Sequence, residues 1–403
     1  MGLATPAHSQ TYRDFDINGV NLRVEFWDPT DGAFSWNIYN VTPTHNFEQD
    51  QIDAISRGVQ YWVDVLGPNN TPGRDMVFRI VRDTSIGPDA TQRSIYANLG
   101  TLRTFPQYIW ADGFTSSGAT ASDGQSLDTV VVLGNLPWSS APTGQLYSGG
   151  VSLEAVIIHE LAHALGLINF RPTWGNSGLL TSYEALLVDQ DGNPVVAGAS
   201  FSATTPIYFT GANAMGVYGD RVLTSMVSVG KKHLALDPLL ITLEEFRNYP
   251  FLTELELAIM QDLGYDIDRS KFFGRSFYQD GNMGDPVIVN NNGFNSTATY
   301  GVGLHVKANQ LNILQNVDLI SEGAGGAGIR IDGRNNLVTI GQNVNIAANG
   351  DFGAGVVVSN GTGNVLVHRG SIEAGSTTTD QEGTGILRDC LQMSFPRARR
   401  RDI

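Results

Sequence analysis

The chain has 403 residues, a formal net charge of −15 and a single cysteine, Cys390. This length exceeds that of one ordinary domain, so we expect two domains or one domain joined to a repeat array. The acidic balance disfavours nucleic-acid binding, which needs a basic surface, and one cysteine excludes both an intrachain disulfide and a cysteine-based zinc site. No apolar run is long enough to predict a transmembrane segment.

The first part of the chain alternates strand-like and helical patterns. Apolar side chains recur at helical spacing between Ile52 and Leu66, with Asn46 as the expected N-cap and Gly67 as the stop. Alternation predicts extended segments at residues 21–27, 34–39, 76–81 and 129–133. This order predicts an α/β domain in which helices cover one face of a twisted sheet.

Residues 152–166 carry the pattern of a well-bounded helix. Ser152 is a good N-cap, and Gly166 is a C-terminal stop. Residues 167–232 have the composition of irregular loops, with clusters of Pro, Gly, Asn and Ser. A further helix is predicted over residues 251–263, where leucines recur at helical spacing before a glycine.

His159, Glu160 and His163 form an HExxH motif within the helix at residues 152–166. Residues four positions apart face the same side of a helix, so the two imidazoles can bind one zinc ion. The glutamate beside them can then act on a water molecule as general base, which is the chemistry of peptide hydrolysis. The alternative is that the two histidines are structural and the glutamate is solvated.

A repeat follows the helix predicted over residues 251–263. Gly301, Gly326 and Gly353 begin similar apolar segments that are 25 and 27 residues apart, and a fourth start at Gly383 follows 30 residues later. Each unit contains about three short alternating runs, which predicts one coil of a short right-handed parallel β-helix over residues 295–388. The alternative is a glycine-rich linker, but linkers do not alternate apolar residues in register.

Two sets of segments resemble known families. The run at residues 159–169 is similar to the metzincin signature HExxHxxGxxH, except that Asn169 stands where the final histidine belongs. Further segments resemble the protease-like passenger region of bacterial autotransporters, in a layout similar to leishmanolysin-type metzincins: residues 214–219, 233–241, 246–249 and 256–267.

The resemblance implies a metzincin-like domain whose third zinc ligand arrives after a long insertion. His233 maps to that ligand, so the expected Zn²⁺ ligands are His159, His163 and His233, with Glu160 as the catalytic base. Metzincins also place a methionine in a tight turn beneath the zinc. Ile241 stands at that position here, and isoleucine supplies an apolar floor without the thioether.

The predicted fold is a metzincin-like α+β or α/β protease domain followed by a short parallel β-helix. The predicted boundaries are residues 12–275 for the protease domain, 276–294 for a linker, 295–388 for the β-helix and 389–403 for an irregular basic tail. The expected function is a secreted or cell-surface zinc metalloendopeptidase that hydrolyses protein or peptide substrates as part of an autotransporter-type passenger. In longer relatives of that type, an outer-membrane barrel follows the passenger.

Two alternatives stay open at this point. The first is a catalytically inactive, protease-like adhesin or structural passenger, which the isoleucine at the methionine position motivates. The second is a lectin that binds through its repeats. Calcium sites are not expected in the repeats, because Arg330 stands where the calcium-binding pattern requires aspartate.

Overall fold

The computed structural model describes most of the chain. The described residues are 11–36, 39–70, 75–83, 95–98, 119–120, 126–134, 138–142, 151–167, 182–196, 205–224, 251–291, 297–359, 361–375 and 383–388. At His163 the description covers the backbone and not the side chain. Several predictions concern positions outside the described residues, namely Asn169, His233, Ile241, the resembling segments at 233–241 and 246–249, and residues 389–403.

The secondary structure of the described part of the chain consists mainly of short strands and four α-helices. The strands before the last helix are β1 (Thr11–Ile17), β2 (Val20–Trp27), β3 (Phe34–Trp36), β4 (Tyr39–Val41), β5 (Met76–Arg82), β6 (Ile95–Asn98), β7 (Ala119–Thr120), β8 (Ser126–Leu127), β9 (Thr129–Leu133), β10 (Trp138–Ser139), β11 (Val151–Ser152), β12 (Leu187–Asp189), β13 (Ile207–Phe209) and β14 (Val222–Leu223). The helices are α1 (Gln49–Leu66), α2 (Leu153–Ala164), α3 (Ala212–Tyr218) and α4 (Glu254–Asp262). None of these helices is both long and apolar enough to cross a membrane.

The strands that follow α4 belong to the C-terminal part. They are β15 (Phe273–Phe277), β16 (Ile288–Asn290), β17 (Thr297–Ala298), β18 (Val302–Val306), β19 (Asn312–Gln315), β20 (Leu319–Ser321), β21 (Ala327–Ile331), β22 (Leu337–Ile340), β23 (Asn345–Ala348), β24 (Ala354–Val358), β25 (Val365–His368), β26 (Ser371–Ala374) and β27 (Thr384–Arg388).

A five-stranded mixed sheet organises the N-terminal part. Its strands lie in the order β1, β2, β5, β9 and β6, and the three central strands run parallel to one another. The two edge strands, β1 and β6, run antiparallel to their neighbours. Parallel neighbours need a crossover connection, and α1 supplies it between β2 and β5. The strands predicted at residues 21–27, 76–81 and 129–133 are therefore confirmed as the central strands.

Both faces of the three central strands are buried, whereas the sequence predicts cover on one face. Helices α1 and α2 contact each other and share one apolar cluster with alternate residues of the central strands. The intervening residues of the same strands point to the other face, where Trp27, Val81 and Val130 form a second cluster with Phe34 and Val41. The second cluster explains why every residue of β9 is buried.

Three predicted boundaries differ from the observed ones. The extended segment predicted at residues 34–39 is the first half of a hairpin, because β3 turns back to pair antiparallel with β4. Helix α1 begins after Glu48 rather than Asn46, and the Glu48 N–H donates to Gln51 Oε1 at 3.2 Å. Helix α4 begins after Thr253, in a reciprocal cap with its third helical residue.

The prediction that residues 167–232 are irregular is wrong for the described part of that range. Strands β12, β13 and β14 form an antiparallel sheet there, and α3 follows β13. Asp262, the last residue of α4, accepts the backbone N–H groups of Asn213 and Ala214 at 2.8 and 2.9 Å in the first turn of α3. This carboxylate therefore joins the two helices.

The C-terminal part is a parallel β-solenoid, as the repeat predicts. Its strands stack in three parallel sheets with the orders β15-β18-β21-β24-β27, β16-β19-β22-β25 and β17-β20-β23-β26. The strands of the first sheet begin one residue after each predicted repeat start from Gly301 onward. Aliphatic columns such as Leu304, Ile329 and Val356 fill the interior in ladder register.

The solenoid begins before residue 295. Strand β15 pairs in parallel with β18, and β16 pairs in parallel with β19. Residues 273–290 therefore contain two strands of the first coil, although the sequence predicted a linker over 276–294. The β15 segment lacks the Gly-x-Gly start of the later units, which is why the sequence repeat does not include it.

An aromatic cluster joins the solenoid to the N-terminal part. Tyr300 of the first coil lies edge-on to Tyr61 of α1 at 5.8 Å between ring centroids and stacks on Phe272 at 6.0 Å. Phe251 stacks on Tyr61 at 5.0 Å. The Tyr300 hydroxyl also donates a hydrogen bond to the Asp64 carboxylate on α1. The two parts of the chain therefore share one continuous core.

One corner of the solenoid repeats its backbone conformation from coil to coil. Gln310, Asn335 and Gly363 all have positive φ, at 60°, 55° and 71°. Asn336 and Asn364 lie beside this corner as a buried amide ladder, in which Asn364 Oδ1 accepts the Asn336 backbone N–H at 3.0 Å. The ladder satisfies buried backbone groups that no strand partner reaches.

Candidate metal centre

Helix α2 carries the HExxH motif, and its ends are those that the sequence predicts. Ser152 Oγ accepts the N–H of Ala155 at 3.2 Å before the first turn. Gly166 has a φ of 116° just after the last turn, a conformation that favours glycine and ends the helix. The short parallel pair of β10 and β11 leads directly into the helix.

His159 and Glu160 lie together on this helix. The Nε2 atom of His159 is 4.0 Å from Oε1 of Glu160. Each residue is only 7% exposed, so this nitrogen and this carboxylate meet in a largely water-excluded setting. Electrostatic interactions are stronger in such a setting than in water.

The other two predicted ligands, His163 and His233, stay predictions. The α2 backbone places position 163 one turn beyond His159, so the two positions share one side of the helix. Among the side chains that the structure describes, no three His, Cys, Asp or Glu residues form a group suited to a metal ion. That set leaves out the side chains of His163 and His233. Imidazole nitrogens on this helix fit the ligand chemistry of zinc.

An ion pair fixes the N-terminal end of α2. Glu154, in the first turn, is buried and accepts a hydrogen bond from Arg57 Nε of α1 at 2.9 Å. The same guanidinium donates to the backbone carbonyl of Ser140 at 2.8 Å. A negative charge in the first turn is also favoured by the helix dipole. Arg57 thus ties together α1, α2 and the residue that follows β10.

Two further side chains hold the α2 backbone. The indole N–H of Trp62 donates to the carbonyl of Ile158 at 2.9 Å. The hydroxyl of Tyr265 donates to the carbonyl of Leu165 at 2.7 Å. Gly58, one turn before Trp62, allows the close approach of α1, because a Cβ there would lie 2.8 Å from a backbone oxygen of α2. The sequence pattern places Trp62 in the apolar run of a helix but does not indicate either hydrogen bond, and only the glycine inside that helical pattern hints at the contact.

A second buried polar cluster lies in the solenoid, away from α2 in the chain. His305 Nε2 is 2.9 Å from Asp332 Oδ2, and Arg330 Nε donates to that same oxygen at 2.7 Å. Ser359 Oγ donates to the other oxygen of Asp332 at 2.6 Å. Burial lowers the pKa of His305 below its ordinary value. Although burial alone would raise the pKa of Asp332, Arg330 and His305 hold it well below its usual range. The cluster bridges three successive coils.

Comparisons with known proteins give no relative. No family model matches the chain, and no curated protein and no solved structure matches it. The functional conclusion therefore depends on the geometry of α2 and on the sequence pattern that it carries.

Proposed function

We propose that the chain is a zinc-dependent metalloendopeptidase with a metzincin-like catalytic domain. The observation that carries the proposal is the approach of the His159 imidazole to the Glu160 carboxylate, on a helix whose two ends are fixed. His163, one helical turn further on, and His233 complete the proposed set of three protein ligands. A prearranged helix of this kind is what an HExxH site requires.

The proposed residues have separate roles in the reaction. Zinc, when bound, supplies a Lewis acid that polarises the scissile carbonyl and lowers the pKa of water. His159, His163 and His233 would hold the ion. Glu160 removes the proton of the attacking water as the new bond to the carbonyl carbon forms. The same carboxylic acid then gives that proton to the leaving amine as the C–N bond breaks.

The position of strand β6 favours a peptide as the substrate. It contacts α2 and forms an edge of the five-stranded sheet, pairing with β9 on one side. Within the described part of the chain, no strand of that sheet pairs with the free edge of β6. An extended peptide can pair with such an edge through backbone hydrogen bonds. We therefore propose that a protein or peptide substrate binds in extended form along β6, beside the HExxH helix.

The solenoid and the sequence resemblance favour a location outside the cell. Parallel β-solenoids present long, regular surfaces, and the sequence resembles autotransporter passengers, which are exported. We propose a secreted or cell-surface location on this basis.

An inactive passenger or adhesin is the second candidate. It is favoured by the small exposure of His159 and Glu160, 7% for each, which leaves little of either side chain open to a substrate. Ile241 at the expected methionine position favours it as well. This candidate shares the fold of the first and differs in its zinc chemistry.

Zinc content and peptide cleavage distinguish the two candidates. We would measure zinc by elemental analysis in the wild type and in His159→Ala, His233→Ala and Glu160→Ala. His368→Ala is the matched control, since His368 is an exposed histidine on β25. We expect about one zinc per chain in the wild type, in Glu160→Ala and in the control, and a loss of zinc in the other two variants.

A casein-cleavage assay on the same samples completes the experiment. Cleavage should persist in the wild type and in His368→Ala and be lost in the other three variants. A wild type that binds zinc without cleaving casein or a peptide library would support the inactive passenger. A wild type that takes up no zinc would overturn the metal site itself.

A further inference from the structure

We propose that Trp62 and Tyr265 are positioning residues for the metal ligands on α2. This inference rests on the proposed function. Both side chains are buried, and both donate to backbone carbonyls, Trp62 to one within α2 and Tyr265 to one in the turn that directly follows it. They therefore act on the placement of the whole helix, and through it on the imidazoles of His159 and His163.

The two anchors bracket the histidine pair. Trp62 bonds to the carbonyl of Ile158, directly before His159, and Tyr265 bonds to that of Leu165, two residues after His163. At about 1.5 Å of rise per residue, the two carbonyls are roughly 10 Å apart along the axis. Two bonds at this spacing restrain the tilt of the helix, which a single bond would leave free.

The same bonds restrain rotation about the helix axis. At about 100° per residue, Ile158 and Leu165 lie within roughly 20° of each other around the axis. His159 and His163 follow Ile158 by roughly 100° and 140° in the same sense. Both anchors therefore hold one side of α2, and the backbone positions 159 and 163 lie on a different side of the helix. A slip of one residue would break both bonds and turn the imidazoles by about 100°.

Each anchor has a feature that simple packing does not require. The Ile158 carbonyl lies inside the helix, where the N–H four residues on is its ordinary partner, so the indole uses the second lone pair of that oxygen. The Leu165 carbonyl lies just past the last helical residue, where carbonyls lack helical partners. Gly58 brings α1 close enough for the indole to reach, since a Cβ at that position would press on α2.

The anchors come from two elements that are far from α2 in the sequence. The separations are 96 residues for Trp62 and Ile158 and 100 residues for Tyr265 and Leu165. Trp62 lies on α1 and Tyr265 lies just after α4, so hydrogen bonds from two separate segments of the chain hold α2. Ligands held in this way are prearranged for a metal ion.

The affinity for zinc distinguishes a positioning role of Trp62 and Tyr265 from an effect on the stability of the whole chain. In the full chain we would measure Kd for Zn²⁺ by chelator competition, the visible absorption of the Co²⁺ form, and the denaturation midpoint of the metal-free chain. The test variants are Trp62→Phe and Tyr265→Phe, and the second loses a single hydroxyl. The matched controls are Trp27→Phe, whose indole donates to Gly32 O at 2.9 Å on the other face of the sheet, and Tyr278→Phe, a buried tyrosine that accepts the Leu255 N–H.

We expect Trp62→Phe and Tyr265→Phe to weaken Zn²⁺ binding about tenfold to a hundredfold and to alter the Co²⁺ spectrum. The controls should lower the denaturation midpoint and leave Kd and the spectrum unchanged. If Trp62→Phe does not fold, Tyr265→Phe decides. Unchanged Kd and spectrum in the test variants, with metal bound by the wild type, would overturn this inference alone. A wild type that binds neither ion would overturn it together with the proposed function.

Discussion

Replacing Gly58 by alanine tests the contact between α1 and α2 most directly. Gly58 is buried in the middle of α1, where alanine alone would favour the helix by about 1 kcal/mol. The added Cβ would, however, lie 2.8 Å from the Glu154 carbonyl oxygen and 3.0 Å from Ile157 Cβ. Both atoms belong to or adjoin the α2 backbone and cannot swing away, so the two helices must separate.

The repulsion should outweigh the gain in helix propensity. Overpacking of a close-packed core costs about 1–3 kcal/mol. A contact with fixed atoms belongs in the upper half of that range, which leaves Gly58→Ala less stable than the wild type by about 1–2 kcal/mol. Gly216 in α3 is the matched control, since a Cβ there meets nothing within 4 Å. Gly216→Ala should be more stable than the wild type by about 0.5–1 kcal/mol.

Guanidinium unfolding followed by tryptophan fluorescence measures both variants. The two free energies of unfolding should differ by about 2 kcal/mol with the signs given above. If Gly58→Ala were stabilised as much as Gly216→Ala, the spacing of α1 and α2 described above would be refuted.

Three further predictions concern the solenoid and its junction. Since burial lowers the pKa of His305, this imidazole takes up a proton at a higher pH in the unfolded chain than in the folded chain, and the free energy of unfolding falls as the pH drops below about 6.5. The fall is limited to a little over 1 kcal/mol per pH unit, and His305→Gln should remove it in urea unfolding between pH 4 and 8. Asn336→Ala removes the side-chain hydrogen bonds of 2.8 and 2.9 Å to the Leu311 N–H and the Ala308 carbonyl, which should lower the free energy of unfolding by about 2–4 kcal/mol. The control Asn312→Ala, at an outer position of β19, should lower it by less than about 0.5 kcal/mol. Tyr300→Phe removes the hydrogen bond to Asp64 and should lower the free energy of unfolding by about 1 kcal/mol; no change in the urea midpoint would contradict the junction described.

The sequence predicts the elements whose signals are local. Helix α2 is bounded by Ser152 and Gly166, which act on residues within one turn, and both helix ends appear where the sequence places them. The repeat is also local, because each coil after the first begins with a Gly-x-Gly pattern, at spacings of 25, 27 and 30 residues. The N-cap of α1 is Glu48 and not the predicted Asn46, because asparagine is a preferred N-cap residue and glutamate is not, so composition favours the wrong position.

Elements that depend on partners far away in the sequence are not predicted from the sequence. Strands β12 to β14 have two or three residues each, so no alternation shows before the partners are known. The second core of the mixed sheet depends on a hairpin that folds over it. In the candidate site, His159 and Glu160 follow from a motif of five residues, whereas Trp62 and Tyr265 reach α2 across about a hundred residues.

One corner of the solenoid joins the sheet that contains β19 and β22 to the sheet that contains β20 and β23. This corner varies in length from coil to coil, although the strands on either side of it stay stacked. Gln315 and Leu319 are four positions apart, but the residues stacked on them, Ile340 and Ile346, are six apart. In the following coil, His368 and Ile372 are again four apart, and the ladders continue unbroken. The added residues leave the core through an outward loop that includes Asn343, which has a φ of 64°. This corner is therefore a natural graft site, where a foreign peptide can be displayed without changing the packing of the coils beneath it.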